Sequence, residues 1–442
     1  MRSARQFILI CCLLPLLAST AAAQVSISSS DGDGRMRWMH SDGNDSYEVD
    51  AVGTVVFASD DSGIESISSG GYLTIKVEEN GRRVALDVRP GSGGDLTYDY
   101  RVNGRRVDYD ASARSEIGEL LLMVIRESGI NADVRVAKIL KKDGVEGVFD
   151  EISQIRSGSS VGRYLTELVA QADMNTRELT HAADVAEHRI GSSGSLARFL
   201  RTSAPVFVAD EGTYDAYFSA VESIASSGDK TRTLMAFVEA EPGREGFVRT
   251  LRTAQGISSS GDKTRLLLST LGHFPSDAVV RDLYFKTVGT ISSSGDRSRL
   301  LRALLTEFEI DEQTAAMAFE SAAGISSSGD KSRVLIQAAP FYTDTDAQRA
   351  QFFRAVNTIS SSGDHARVLI ALLDGGSLSN ETLVEVLNSA RGISSSGDAS
   401  RVLQRAAPRV QSDAAVDAFL KAADSISSAS DRGRALTALM DR

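Results

Sequence analysis

The chain of 442 residues has two cysteines, one tryptophan and seven prolines. Both cysteines, Cys11 and Cys12, fall within the first 23 residues. This excludes a disulfide scaffold and a cysteine-based zinc site. Beyond residue 23 no apolar run approaches the roughly 18 residues at which a membrane-spanning helix becomes a candidate. Basic residues are outnumbered: 48 Lys and Arg face 59 Asp and Glu, a net charge of −11. That balance argues against a general nucleic-acid binder. A Gly-x-Gly-x-x-Gly turn after a strand and His-Glu-x-x-His are both missing. The dinucleotide and zinc-protease chemistries that need them have no foothold here. The chain does have a globular composition, 42% hydrophobic and 24% charged.

Arg2 and Arg5 precede an apolar run over residues 7–17, and Ala21-Ala22-Ala23 follow. This is the charged, apolar, small-residue order of a secretory signal peptide, with cleavage expected after Ala23. The expected mature chain is exported to the periplasm or the cell exterior. It has no thiol, a net charge of −13 and no transmembrane segment. Residues 24–34, rich in Ser, Asp and Gly, read as a flexible linker.

Residues 35–110 carry strand signals. Thr54 to Phe57 is β-branched and aromatic, and Tyr72 to Val77 alternates in period two. Asn80-Gly81 and Asn103-Gly104 sit between alternating runs, where a type I′ hairpin turn needs positive φ at both central residues. The expectation is an antiparallel meander of five to seven strands, extending past Asn103-Gly104 to Val107 and Tyr109, with Trp38 packed on it. Asp31-Gly32-Asp33-Gly34 and Asp42-Gly43-Asn44-Asp45 resemble calcium loops but lack the ligand spacing of an EF-hand, and read as solvated turns.

The remainder is one motif repeated. Ile-Ser-Ser-Ser-Gly-Asp begins at Ile257, Ile291, Ile325, Ile359 and Ile393, with looser copies at Ile155, Ile190, Ile224 and Ile426. Spacings of 33 to 35 residues mark a repeat array. With the Ile as position zero, position −6 is Phe or Leu in eight copies and position +10 is Leu in all nine. Apolar residues in steps of three and four put these on helical stripes. Each repeat therefore reads as two helices joined by the Ser-Gly-Asp turn. Ser at +2 is expected to cap the second helix and Asp at +5 to complete a capping box. Gly at +4 is expected to admit a neighbouring turn. Residues 116–128 and 133–142 read as a degenerate first hairpin.

These hairpins resemble those of HEAT-like and tetratricopeptide-like α-solenoids, over about 300 residues, although the Trp, Gly, Tyr and Pro pattern of the tetratricopeptide repeat is missing. With the leader and β region, the chain is also similar to exported bacterial repeat proteins without an assigned activity. That likeness implies a fold and a compartment, and no catalytic residue. The fold class is α+β by domain: a small antiparallel β meander followed by an α-solenoid of about nine 34-residue helical hairpins. The segments are 1–23 (signal peptide), 24–34 (linker), 35–110 (β-rich), 111–143 (capping hairpin) and 144–442 (repeats).

Position +8 is Arg in every copy, including Arg232, Arg265, Arg299, Arg333, Arg367 and Arg401. Asp262, Asp296, Asp330, Asp364 and Asp398 lie three residues earlier, on the same helical face. The row reads as a brace or as a binding surface. His181, Asp184 and His188, at i, i+3 and i+7, lie on one helical face and read as a solvated polar face or as a zinc site, since imidazole and carboxylate suit that metal. His40, His273 and His365 read as surface or turn residues. The expected function is that of a non-enzymatic exported scaffold binding a protein or peptide partner in the cell envelope, without cofactor or nucleic acid. The alternatives are a metal-dependent enzyme or ligand-binding protein with a site near the junction of the β region and first repeats, and a binder of polyanions or glycans along the Arg row.

Overall fold

A computed structural model describes residues 35–42, 45–58, 63–93, 95–273, 277–307 and 310–442. The expected leader and linker, the Asp31 to Gly34 turn, and Gly43-Asn44 lie outside these residues. The chain divides into two compact units, Met1–Asp173 and Met174–Arg442.

In the first unit the strands are β1 (Arg35–Asp42), β2 (Asp45–Val52), β3 (Val55–Phe57), β4 (Ile64–Ile67), β5 (Tyr72–Glu79), β6 (Arg82–Pro90), β7 (Leu96–Val102) and β8 (Arg105–Arg106). Six form an antiparallel sheet in the order β1-β2-β5-β6-β7-β8, and β3 pairs with β4. Eight strands exceed the five to seven expected. The outer face of the sheet is charged, and its charges pair across strands: Arg35 with Asp50, and Arg37 and Lys76 with Glu48. Those charges mask β1 and β2 in the sequence. Both Asn-Gly turns form as expected, with φ of 52° and 77° at Asn80-Gly81 and 50° and 79° at Asn103-Gly104. Val107 and Tyr109 fall beyond β8, and Tyr109 stacks on Tyr98 with ring centroids 4.3 Å apart.

The other face is apolar in period two: Val49, Ile75, Leu86 and Val88 are buried, and Trp38 packs beside them. Helix α1 (Ala111–Ser128) covers this face with Ile117, Leu121 and Val124. Each such side chain, fully buried, contributes about 1.5–3 kcal/mol. Asp110 caps α1 by accepting from the Ala113 N–H at 2.9 Å. Helix α2 (Ala132–Ser153) is kinked at Gly144, where φ is 69° and ψ −165°. The half after the kink forms a hairpin with α3 (Gly158–Gln171) around buried Ile155. Glu151 holds the bend, accepting from Arg126 at 2.8 and 2.7 Å and from Arg135 at 2.8 Å.

The second unit is eight hairpins in succession: α4 (Thr176–Arg189) with α5 (Ser193–Val208), α6 (Tyr214–Ser223) with α7 (Ser227–Glu239), α8 (Arg244–Gln255) with α9 (Ser260–Ser269), α10 (Ala278–Gly289) with α11 (Ser294–Glu307), α12 (Glu312–Ala323) with α13 (Ser328–Ala338), α14 (Asp346–Val356) with α15 (Ser362–Asp374), α16 (Asn380–Ala390) with α17 (Ser396–Ala406), and α18 (Asp413–Asp424) with α19 (Ala429–Met440). First helices pack on first helices and second on second, in chain order. This is an α-solenoid-like arrangement. Every motif Ile is buried, and the +10 Leu is fully buried in all copies but the last. The −6 position is buried from Phe218 to Leu387, whereas Leu420 in the last hairpin is 42% exposed. In α4, where −6 is Asp184, Leu179, Ala182, Ala183 and Ala186 supply the apolar stripe one residue out of step. Among the described residues, no helix is long and apolar enough to cross a membrane.

Gly144 has a backbone conformation open almost only to glycine, and a Cβ there meets no neighbour. Gly144→Ala is therefore expected to cost about 1–3 kcal/mol through backbone strain alone. Urea unfolding followed by circular dichroism measures this; an unchanged midpoint would mean that the kink relaxes freely.

Candidate functional site

The repeated turn is where the chain concentrates its polar residues, and the structure divides them by task. Ser at +2 caps the second helix. Ser226, Ser259, Ser293, Ser327, Ser361, Ser395 and Ser428 each accept the N–H of the Asp three residues on, at 3.2–3.4 Å. The other half of the expected capping box is built differently. The second turn N–H is taken by a serine of the preceding hairpin. Ser260 Oγ accepts from the Ser293 N–H at 3.3 Å, and Ser294, Ser362 and Ser396 accept from Ser327, Ser395 and Ser428 at 3.2 Å. Ser328 accepts from the Ser360 N–H at 3.2 Å.

The same +3 hydroxyl meets the +1 hydroxyl of the next hairpin. The pairs are Ser227–Ser258, Ser260–Ser292, Ser294–Ser326, Ser328–Ser360, Ser362–Ser394 and Ser396–Ser427, all at 2.9–3.0 Å. A serine ladder thus crosses six successive junctions. It starts after Ala225, which stands at +1, and stops at Ala429, which stands at +3. In the first hairpin Glu127 takes this role, its carboxylate accepting from the Arg156 and Ser157 N–H groups at 2.9 and 2.8 Å. The sequence signal was the invariance of +1 and +3 in five copies, which a cap at +2 alone does not require.

Gly at +4 departs from expectation. A Cβ built on Gly261, Gly295, Gly329 or Gly397 meets nothing within 4 Å, so no neighbouring turn approaches there.

Position +6 has a structural role that the sequence reading missed. Lys263 is buried, and its ammonium donates to the carbonyls of Gln255 (3.1 Å) and Thr290 (3.4 Å) and to the Thr290 hydroxyl (2.8 Å). It ties the carboxyl end of its own first helix to that of the next hairpin, where the helix dipole favours a cation. Lys331 reaches Thr358, Lys230 the Glu222 carbonyl, and Arg297 the Gly289 carbonyl. Burial pushes the Lys263 and Lys331 ammonium groups below their usual range. In the seventh hairpin this position is His365. Contrary to the expectation of a surface residue, it is buried, with Nε2 2.8 Å from Ser389 Oγ. Burial holds its imidazole below the ordinary value of 6.5. The side chains of His40 and His273 lie outside the described ones.

The Arg row at +8 points outward. Arg232, Arg265, Arg299, Arg333, Arg367, Arg401 and Arg434 are 52–64% exposed. Each pairs with the Asp of its own helix: with Asp229 at 2.5 Å, Asp262 and Asp330 at 2.8 Å, Asp296 at 3.4 Å, and closely with Asp364, Asp398 and Asp431. Exposed pairs of this kind contribute about 0–1 kcal/mol each. Burial acts to raise the Asp364 carboxyl, but hydrogen bonds from Ser361 and Ser332 and the Arg367 guanidinium outweigh it and hold it below the usual range.

His181, Asp184 and His188 are all exposed on α4. They do not converge: His188 Nδ1 lies 2.8 Å from the Asp184 backbone carbonyl. Among the described residues no group of three or more His, Cys, Asp or Glu is placed to hold a metal ion.

Two predictions follow from the turn and from position +6. Ser294→Ala removes the acceptor for the Ser327 N–H and is expected to cost about 0.5–1.5 kcal/mol in urea unfolding. Gly261→Ala and Gly329→Ala, by contrast, leave the midpoint unchanged or raise it. A loss with the glycine variants as large as that of Ser294→Ala would refute this division of roles. For His365, the unfolded chain takes up the proton more readily than the fold. Its contribution is intact above pH 6.5 and declines as the pH falls below that value. The midpoint should fall between pH 7.5 and 5.5 by more in the parent than in His365→Gln, and equal slopes would contradict the assignment.

Compared with protein-family models, curated proteins and solved structures, the chain matches none.

Proposed function

We propose that this chain is an exported, non-enzymatic scaffold that holds a protein or peptide partner along its helical repeats, as the likeness to HEAT-like and tetratricopeptide-like solenoids and to exported bacterial repeat proteins suggests. One observation carries the reading. The serines of the repeated turn, Lys263 and Lys331 are engaged in hairpin-to-hairpin contacts, whereas the +8 arginines stand exposed at one register through seven hairpins. Arg232, Arg265, Arg299, Arg333, Arg367 and Arg401 are the proposed contact residues, held in place by Asp229, Asp262, Asp296, Asp330, Asp364 and Asp398.

The chemistry favours a peptide over a bulk polyanion. Each guanidinium has five N–H donors, and Arg265 and Arg333 each give one nitrogen to their Asp. Because every Arg carries its own carboxylate, the row is close to neutral and exerts little long-range pull on a polyanion. Short-range hydrogen bonds to the carbonyls and carboxylates of an extended peptide remain. A partner spread over several hairpins gains from each weak contact.

The test compares capture from cell-envelope extract by the parent chain and by a variant with Arg265, Arg299, Arg333 and Arg367 all changed to Gln. The expected result is a reproducibly enriched protein whose recovery drops about tenfold with the variant, while the thermal melt is unchanged. Identical capture by both chains would remove the Arg row from the reading. Binding to nucleic acid or to anionic polysaccharide that collapses with added salt would favour the polyanion alternative instead.

A further inference from the structure

We infer that the two arms of the broken helix α2, with the end of α1, form a binding slot for a short zwitterionic peptide, one whose amino and carboxyl ends are both free. The slot lies within the first unit and is independent of the Arg row.

The first observation is the cavity. It has a volume of about 620 Å³, inside the range of roughly 300–1,000 Å³ common to small-molecule sites. Two glycines shape it. Gly144 takes the φ of 69° that breaks the helix. A Cβ on Gly147 would overlap the Asp143 side chain, so glycine is what lets the second arm start this close to the first. The arms meet again away from the break, where Arg135 of the first arm and Arg126 of α1 both donate to Glu151 of the second. The slot lies between these two ends.

The second observation is that its charges are sorted by arm. Arg135, Lys138 and Lys142 recur at i, i+3 and i+7, on the face of the first arm that lines the slot. Arg126 joins them from α1. The second arm contributes Glu146, Asp150 and Glu151. Asp143, beside the break, pairs with its neighbour Lys142 at 3.5 Å. One wall is therefore cationic and the other anionic. A ligand of one charge is attracted by one wall and repelled by the other, whereas a zwitterion is complementary to both.

The third observation is a charged floor held in place. Burial acts to raise the Glu151 carboxyl, but hydrogen bonds from Arg126 and Arg135 outweigh it and hold it below the usual range. Arg126 gives Glu151 its Nε and Nη2, so its Nη1 donors lie outside that pairing. A guanidinium fixed in this way suits a ligand carboxylate. Glu146 and Asp150, both exposed, supply the carboxylates for the amino end. From Arg135 to Lys142 the cationic wall runs about 10 Å along the helix axis, the length of roughly three extended residues. Ile139, half-buried on the same wall, gives a small side chain an apolar contact.

Calorimetric titration of the full chain with trialanine is the experiment, run beside N-acetyl-trialanine, trialanine amide and free alanine. The expected result is saturable binding of trialanine that weakens by about tenfold or more when either end is blocked. Glu146→Gln with Asp150→Asn abolishes the preference for a free amino end and keeps the preference for a free carboxyl end. Both side chains are exposed, so the thermal melt is unchanged. The chain with Arg265, Arg299, Arg333 and Arg367 changed to Gln binds trialanine as the parent does. No saturable binding of trialanine would overturn the inference. So would equal binding of the blocked forms, free alanine binding as tightly as trialanine, a preference for the free amino end that survives the Glu146 and Asp150 changes, or loss of binding in the Arg-row variant.

Discussion

A helical hairpin with apolar residues on both edges cannot exist alone in water, and that constraint governs the rest of the second unit. From α6/α7 to α16/α17 each hairpin buries −6, −3, the motif Ile and +10, and the hairpin that follows packs against it. The requirement fixes the period, because the second helix must return to stack on its predecessor. It also makes stability a sum of hairpin and junction terms.

Apolar stacking has no direction of its own, and a smooth seam tolerates slippage. Polar contacts supply the register. The serine ladder places one hydroxyl of each hairpin against a hydroxyl and an N–H of the next, and a shift by one residue would break both. Lys263 spans a junction as well, tying the ends of consecutive first helices, and Lys331 reaches Thr358 of the next hairpin. These contacts are individually weak, near 1 kcal/mol, but each satisfies a backbone group that the helix ends leave open. In the first unit, where serine is missing from +1 and +3 of the first motif, Glu127 fills the same need with a carboxylate. The need for a satisfied turn is constant, and the residue meeting it changes.

Once the turn is accounted for, the exposed remainder is small and specific. The +8 arginines and their own-helix aspartates are what the packing of hairpins leaves exposed, a lateral row at one register.

Much of this was legible in the residues. The period of 34, the two-helix repeat, the Ser cap at +2, the core Leu at +10 and both Asn-Gly hairpins follow from local rules. Helical periodicity, cap geometry and turn conformation are properties of a few neighbouring residues, and the chain states them directly. The sequence also placed Arg and Asp on one helical face, which three residues of separation suffices to show. What it did not state was which groups meet across roughly 34 residues. The serine ladder, the buried Lys263 and His365, the empty space at the +4 glycines, and the parting of the His181, Asp184 and His188 side chains depend on how one hairpin lies on the next. That relation is set by the packing of whole helices, so only the tertiary structure decided it.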